Sequence, residues 1–215
     1  MFEAISNALK QAAIIPVVKV CDKNDALSLA DALVAGGINA IEVTFRTVEG
    51  ETGYSEIADC IQAVKAAQPE MLVGAGTVIN PELAERAVNA GAMFVVSPGF
   101  NPDTVDWCIA RNVPVYPGVN NPSQVEMALS KGLSVLKFFP AEVSGGIQML
   151  KALEGPFPTV RFLATGGINA QNVSSYMRCR NVLAVGGSWM ASEKLVAEKN
   201  WSRVTELSRE ALALF

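Results

Sequence analysis

The chain has 215 residues, of which 50% are hydrophobic and 18% are charged, and its formal net charge is −4. No cluster of lysine and arginine stands out, so the sequence gives no support for a nucleic-acid or polyanion partner. The absence of histidine from the sequence excludes serine–histidine and cysteine–histidine hydrolysis, and a zinc site would have to be built without its commonest ligand.

Hydropathy and cysteine content predict a cytoplasmic protein with no membrane partner. No apolar stretch approaches the roughly 18–20 residues needed to span a bilayer. Polar residues interrupt the N-terminal segment, which therefore lacks the layout of a secretory signal. The cysteines are widely spaced without a C-x-x-C motif, as is typical of reduced, mostly structural thiols: they are Cys21, Cys60, Cys108 and Cys179.

Short apolar segments, often β-branched, alternate with amphipathic segments along the whole chain. Eight strands are predicted at Ile14–Val20, Ile38–Phe45, Met71–Gly76, Met93–Val96, Val113–Tyr116, Ser134–Phe139, Val160–Ala164 and Val182–Val185. Helices are predicted at Asp25–Ala35, Tyr54–Ala67, Pro81–Ala90, Pro102–Ala110, Pro122–Ser130, Ile147–Leu153, Ala170–Met177 and Trp201–Leu214. Several begin with an Asn-Pro pair, which places an N-cap residue before a proline at the first helical position.

These elements predict an α/β fold with a parallel sheet, because strands that are apolar on both faces need helices to cover them. Eight βα units suit a closed (β/α)8 barrel that forms one domain over residues 1–215. An extra helix at Phe2–Gln11 would cover the bottom of the barrel. A doubly wound open sheet is the alternative. Its dinucleotide fingerprint is incomplete, because the segment Gly74-Ala75-Gly76-Thr77-Val78-Ile79 lacks the third glycine.

The second predicted strand carries polar residues at alternate positions. Glu42, Thr44 and Arg46 share one face because side chains alternate along a strand. In a barrel with an apolar outer face, that polar face points inward. A structural Glu–Arg pair is the alternative to a functional site.

Lys137 interrupts an apolar run, Leu133 to Pro140, that otherwise reads as a buried strand. Burial disfavours the charged form of an amine, and a neutral amine in a dry pocket is what Schiff-base chemistry with a carbonyl substrate requires. The alternative is a strand-end lysine whose stem packs while its amine reaches solvent. If Lys137 points inward, it meets Glu42 and Arg46 across the mouth of the barrel.

Glycine-rich turns follow the last two predicted strands, at Thr165-Gly166-Gly167 and Gly186-Gly187-Ser188. Turns of this kind that open helices expose backbone N–H groups and a positive dipole end, which favours a phosphate there; tight turning alone is the alternative. Three further segments are explained equally well by rim turns: Gly74-Ala75-Gly76-Thr77, Ser97-Pro98-Gly99-Phe100 and Pro117-Gly118-Val119. The predicted site therefore combines the amine of Lys137, the carboxylate of Glu42 and the guanidinium of Arg46 with glycine-rich turns that can bind an anion. This combination fits imine chemistry on a phosphorylated keto acid.

Six motifs run in order over nearly the whole chain: Ile41-Glu42-Val43-Thr44-Phe45-Arg46-Thr47, Gly74-Ala75-Gly76-Thr77-Val78, Ser97-Pro98-Gly99, Lys137-Phe138-Phe139-Pro140-Ala141-Glu142, Thr165-Gly166-Gly167-Ile168 and Gly186-Gly187-Ser188-Trp189. Together they resemble the 2-keto-3-deoxy-6-phosphogluconate (KDPG) and 2-keto-4-hydroxyglutarate (KHG) aldolase family. The resemblance implies a class I pyruvate aldolase of the Entner–Doudoroff pathway, on a (β/α)8 barrel, usually a homotrimer. It also implies a small-molecule keto-acid substrate and no metal or cofactor, because the intermediate is a covalent imine.

By the same resemblance, Lys137 forms the imine and Glu42 moves protons, while Arg46 and Thr77 hold the substrate carboxylate. The resemblance places the remaining residues at the substrate wall (Pro98, Phe139) and at the phosphate site (Thr165, Gly166, Gly167, Gly186, Gly187, Ser188). The expected reaction cleaves KDPG to pyruvate and glyceraldehyde 3-phosphate, with 4-hydroxy-2-oxoglutarate as a further substrate that yields pyruvate and glyoxylate.

Two features depart from the family pattern. The loop at residues 48–54 looks longer and more acidic than is usual, and Lys19 replaces an apolar residue at the end of the first strand. By strand parity we expect Lys19 to face the helices or solvent. Two other functions remain as alternatives: a phosphosugar isomerase or epimerase on the same barrel, and a barrel that binds a phosphorylated ligand without catalysis.

Overall fold

The computed structural model of the protein describes residues 1–214. Its sheet consists of parallel strands in the order β5-β4-β3-β2-β1-β9-β8-β7-β6. The strands are β1 (Ile14–Val18), β2 (Ala40–Thr44), β3 (Leu72–Gly76), β4 (Phe94–Val96), β5 (Val115–Tyr116), β6 (Gly118–Val119), β7 (Val135–Phe138), β8 (Arg161–Thr165) and β9 (Val182–Gly187). Each predicted strand is present, and the fifth is divided in two.

The division of the fifth strand lies at Pro117, which has no N–H to donate to a neighbouring strand. The Pro117 carbonyl still accepts a hydrogen bond of 2.9 Å from the Lys137 N–H. The prediction of a rim turn over residues 117–119 is wrong, because Gly118 and Val119 pair with Lys137 and Phe138. Since β5 and β6 are consecutive in the chain and form the two ends of the sheet, the barrel closes there. The prediction of a (β/α)8 fold is confirmed, and the alternative of a doubly wound open sheet is wrong.

Helices surround this barrel at the positions that the amphipathic pattern predicts, with small shifts in their ends. They are α1 (Phe2–Ala12), α2 (Lys23–Ala35), α3 (Glu51–Ala67), α4 (Pro81–Asn89), α5 (Pro102–Ala110), α6 (Pro122–Ser130), α7 (Gly146–Glu154), α8 (Val173–Met177), α9 (Glu193–Ala197) and α10 (Trp201–Leu212). Helix α9 was not predicted. No helix within residues 1–214 is long and apolar enough to cross a bilayer.

Each Asn-Pro pair begins a helix as predicted. The Asn80 side chain accepts a hydrogen bond of 2.8 Å from the Leu83 N–H, and Asn121 accepts one of 3.1 Å from Gln124. These caps satisfy N–H groups that the first turn of a helix leaves without a partner. They also end the βα loops on the side of the barrel where the carboxyl ends of the strands lie.

The apolar core has two parts. The larger cluster lies between the sheet and the helices, and the smaller one fills the bottom of the barrel beneath α1. Ile5 and Leu9 of α1 are buried in this smaller cluster beside Phe94 and Tyr116. The helix at the N-terminus therefore covers the bottom of the barrel, as expected, and leaves the opposite end as the place for a ligand.

Candidate active site

A cavity of about 250 Å³ lies at the carboxyl ends of the barrel strands. Every site residue named from the sequence lines it: Glu42, Arg46, Thr77, Pro98, Lys137, Phe139, Thr165, Gly166, Gly167, Gly186, Gly187 and Ser188. These residues come from six strands and the loops that follow them. The closed barrel therefore brings together groups that are far apart in the sequence, although the roles of the individual residues stay predictions.

Lys137 and Glu42 form an ion pair across the interior of the barrel. Lys137 Nζ lies 3.1 Å from Glu42 Oε1, and the two side chains are only 6% and 4% exposed. This burial contradicts the alternative of a lysine that reaches solvent. The ion-pair partner of Glu42 is Lys137 rather than Arg46. The alternative of a structural ion pair between Glu42 and Arg46 is therefore wrong as well. Lys137 Nζ also lies 5.2 Å from the centre of the Phe139 ring, within the range of a cation–π contact.

Glycines in β3 make room for the carboxylate of this pair. A Cβ atom at Gly76 would collide with the Glu42 carboxylate, and one at Gly74 would collide with the Phe94 ring. Both glycines lie inside the strand, so a tight turn does not explain them. Thr77 follows the strand with a φ of 58°, a left-handed conformation that is unusual for a threonine.

The Arg46 side chain is held by a hydroxyl on the same face of its strand. Arg46 Nε donates to Thr44 Oγ1 at 3.2 Å, and Thr44 Oγ1 donates to the Val18 carbonyl at 2.8 Å. Thr44 is buried, whereas Arg46 is exposed at the mouth of the cavity. The guanidinium is therefore accessible to a ligand while its inner nitrogen is fixed.

The glycine-rich loop after β8 and the two glycines that end β9 meet on one side of the cavity. The prediction of a glycine turn after the last strand is wrong, because Gly186 and Gly187 pair with neighbouring strands. Gly166 and Gly167 have φ values of 106° and 80°, which favour glycine, and a Cβ at Gly186 would collide with the Thr165 side chain. The expectation of a helix start directly behind each loop is wrong. Helix α8 begins only at Val173, and the loop after β9 leads into a single 3₁₀ turn. No helix among residues 1–214 therefore begins at this side of the cavity, and an anion bound there would meet loop backbone rather than a helix dipole.

A family model described as KDPG and KHG aldolase matches residues 5–207. This chain belongs to that family. The family resemblance inferred from the motifs is therefore confirmed. Aldolases are lyases, so the chain is an enzyme of the lyase class.

Relatives agree with this assignment over the full barrel. The chain is 45% identical to the 2-dehydro-3-deoxy-phosphogluconate aldolase of Treponema pallidum, over 98% of this chain and 97% of that one. It is 40% identical to KDPG aldolase from Legionella pneumophila, solved with pyruvate captured at low pH as a covalent carbinolamine intermediate (TM-score 0.88, 96% and 97% covered). It is 37% identical to the Zymomonas mobilis ZM4 aldolase, solved with 3-phosphoglycerate (TM-score 0.88, 100% and 98% covered).

The two departures from the family pattern do not form part of the cavity. Residues 51–54 belong to the first turn of α3, so the predicted loop is shorter than expected, and Glu51 forms an ion pair with Arg86 of α4. Lys19 Nζ lies 3.9 Å from Glu193 of α9, and its side chain is 43% exposed. Lys19 therefore faces a helix and solvent, as strand parity predicted.

Sequence reasoning missed three residues that line the cavity: Val17, Thr44 and Ile168. Thr44 was placed on the correct face but given no role, although its position between Glu42 and Arg46 was a usable signal. Val17 is aligned with Glu42 across the β1–β2 pair, a register that the sequence does not specify. Within residues 1–214, no group of three or more His, Cys, Asp or Glu side chains converges as a metal site would require.

Proposed function

We propose that this chain is a class I aldolase that cleaves KDPG to pyruvate and glyceraldehyde 3-phosphate through a covalent imine on Lys137. The observation that carries the proposal is the buried pair of Lys137 and Glu42, 3.1 Å apart in a cavity at the carboxyl end of the barrel. The two ions bind each other in a place shielded from water, where desolvation penalises separate charges.

Imine formation begins with proton transfer within this pair. Glu42 accepts a proton from the Lys137 ammonium, which leaves a neutral amine to attack the C2 carbonyl of the substrate. The resulting carbinolamine loses its hydroxyl as water when Glu42 returns a proton to it, directly or through a water molecule. The product is a protonated imine, and the carboxylate is again free to accept a proton.

Cleavage of the carbon–carbon bond uses the imine as an electron sink. Glu42 removes the proton of the C4 hydroxyl, the C3–C4 bond breaks, and its electrons pass to the imine to form an enamine. Glyceraldehyde 3-phosphate leaves with the new C4 aldehyde. Protonation of the enamine at C3 and attack of water at C2 then release pyruvate and restore Lys137.

The other cavity residues bind the two ends of the substrate in this proposal. Arg46 and Thr77 hold the carboxylate, and a guanidinium suits a carboxylate because it donates two parallel hydrogen bonds. Pro98 and Phe139 form the wall. The glycine-rich loop after β8 and the glycine-rich end of β9 hold the phosphate. The carbinolamine in the Legionella pneumophila relative and the 3-phosphoglycerate in the Zymomonas mobilis relative support this arrangement.

A coupled assay of pyruvate release tests the proposed reaction. The purified chain is mixed with KDPG, and pyruvate is followed through lactate dehydrogenase while glyceraldehyde 3-phosphate is measured separately. We expect equal amounts of both products and no effect of EDTA, because the imine supplies the electron sink. A rearranged phosphosugar without pyruvate would support an isomerase or epimerase instead, and binding without turnover would support a non-catalytic barrel.

We also propose cleavage of 4-hydroxy-2-oxoglutarate to pyruvate and glyoxylate, which the KHG activity named in the family description supports. This substrate has no phosphate, so we expect a lower kcat/KM than for KDPG in the same assay.

The family resemblance supports a homotrimer, which light scattering of the purified protein tests. The single closed barrel supports one domain over residues 1–215. The four free cysteines support a reduced, cytoplasmic protein.

A further inference from the structure

A buried tyrosine lies directly behind the glycine-rich loop after β8. The Tyr176 hydroxyl is hydrogen-bonded to Glu142 Oε1, and Tyr176 is fully buried in α8. Burial raises the pKa of the Tyr176 phenol, and the hydrogen bond to Glu142 raises that pKa further. The phenol therefore stays protonated and donates its hydrogen to the carboxylate, and such charge-assisted hydrogen bonds are stronger than neutral ones.

Glu142 is in turn attached to the loop formed by residues 165–167. Its N–H donates to the Gly166 carbonyl at 3.0 Å, and the preceding N–H, of Ala141, donates to the Thr165 carbonyl at 2.8 Å. A Cβ atom at Gly167 would lie 2.7 Å from both Cβ and Cγ of Glu142. The stem of Glu142 thus packs flat against Gly167, and this contact fixes the back of the loop.

Glu142 is partly open to solvent, but its hydrogen bond with Tyr176 is packed closely against Gly146 of α7. A Cβ atom at Gly146 would lie 3.1 Å from both the Glu142 Oε1 atom and the Tyr176 hydroxyl. The Gly146 N–H donates to the Ala141 carbonyl at 2.9 Å. Neither Tyr176 nor Glu142 is among the residues that line the cavity, so the pair acts on the loop from behind.

We propose that Tyr176, acting through Glu142, positions the loop of residues 165–167 so that its backbone can bind the phosphate of the substrate. This inference rests on the proposed function, which places the phosphate at that loop. Glu142 follows β7, the strand that carries Lys137. The pair therefore also fixes the distance between the phosphate site and the nucleophile. Tyr176 is a positioning residue, because it contacts neither the substrate nor the reacting atoms.

The test compares Tyr176→Phe with Tyr116→Phe. Each variant removes one buried phenolic hydroxyl, but that of Tyr116 is bonded to Ser6 at the bottom of the barrel, 2.9 Å away. For Y176F we expect a rise in KM for KDPG of roughly 3- to 10-fold, the order expected for the loss of an ordinary intramolecular hydrogen bond. KM for 4-hydroxy-2-oxoglutarate, which has no phosphate, is expected to stay within about twofold in the same framework. Y116F is expected to leave both KM values unchanged.

Variants of Glu142 test the same connection from its other side, so the result does not depend on whether Y176F folds normally. Glu142→Gln retains the stem and an acceptor for the tyrosine, so we expect nearly wild-type KM values. Glu142→Ala should raise KM for KDPG alone, and adding Y176F to it should have no further effect, because both substitutions break one connection.

The inference is overturned if Y176F and E142A change KM for both substrates equally, or for neither, while the wild-type protein prefers KDPG. A wild-type protein that uses the two substrates equally would contradict the phosphate site itself, and the inference with it. These two results separate failure of the positioning role from failure of the proposed function.

Discussion

The two ends of the barrel both contain buried polar groups, but only one end is closed by a helix. At the bottom, α1 packs over the strands, and the buried polar contact is the neutral hydrogen bond of 2.9 Å between Ser6 and Tyr116. At the opposite end, the buried contact is the ion pair of Lys137 and Glu42. Size does not identify the active site, because a larger cavity of about 420 Å³ lies beneath α1.

The difference between the two cavities is in their charge. The acidic and basic residues that line the lower cavity, Glu3 and Lys131, are exposed at its edge, and Lys131 is paired with Asp106 at 2.7 Å. In the upper cavity both members of the ion pair are almost fully buried. A buried ion pair contributes little net stability. Its presence at the open end of the barrel is therefore better explained by chemistry than by folding.

The largest expected effect comes from removing the buried amine. Lys137→Met should lower kcat for KDPG cleavage by roughly 10⁴-fold or more, because no other group can form the imine. Lys19→Met is the matched control, since Lys19 also lies at the end of a barrel strand but pairs with Glu193 near solvent. Steady-state kinetics of both variants provide the measurement. Loss of activity in K19M equal to that in K137M would contradict the assignment.

A second prediction tests the placement of the carboxylate. Gly76→Ala should lower kcat by about 10²-fold, the lower range for losing a proton-transfer group, because the new methyl group collides with Glu42. Gly99→Ala is the control, since a Cβ atom there meets no neighbour within 4 Å. Both are measured by pyruvate release. Nearly wild-type kcat in G76A would show that the position of the Glu42 carboxylate is not critical.

A third prediction concerns the residue that holds Arg46. Thr44→Val removes the hydroxyl between Arg46 Nε and the Val18 carbonyl. We expect KM for the keto acid to rise by roughly 3- to 10-fold, with a smaller change in kcat. The control is Thr104→Val, because the Thr104 hydroxyl is fully buried and has no hydrogen-bond partner within residues 1–214. Equal KM changes in the two variants would contradict a specific role for Thr44.

The smallest effect is on stability at alkaline pH, away from the active site. Burial raises the pKa of Cys60, Cys108 and Tyr116 to about 12, from ordinary values of 9.0 for the thiols and 10.0 for the phenol. A raised pKa in the folded state stabilises the protein below the unfolded pKa, and this stability is lost as pH rises towards 12. For one thiol the loss is about 1 kcal/mol by pH 10.

Urea unfolding of the wild-type protein and of Cys60→Ala at pH 7, 8.5 and 10 measures that effect. The variant loses some packing at every pH, but its free energy of unfolding should decrease less between pH 8.5 and 10 than that of the wild type. If the free energy of unfolding decreased equally in the two proteins, the fold would not raise the pKa of the Cys60 thiol. Catalytic residues are not involved, so this experiment separates folding from function.

The fold was predictable because local patterns and overall topology agree. Apolar strands alternate with capped amphipathic helices, and strand parity together with the apolar outer face placed Glu42 on the inward face. The inward direction of Lys137 was a condition in the sequence analysis, and the structure decides it. What the sequence did not show depends on contacts between distant segments. The role of Gly76 depends on the neighbouring strand, and Tyr176 meets Glu142 across 34 positions of the chain. The start of α3 at Glu51 was missed because its first turn is polar and contains glycine.

The most direct test of the imine mechanism is reductive trapping. The protein is incubated with pyruvate and sodium borohydride, digested, and its peptides are analysed by mass spectrometry. We predict that the pyruvate-dependent mass increase lies on the peptide containing Lys137, that K19M is labelled as the wild type is, and that K137M is not labelled. A wild-type protein without this adduct on Lys137, or with the adduct on Lys19 instead, would contradict the account.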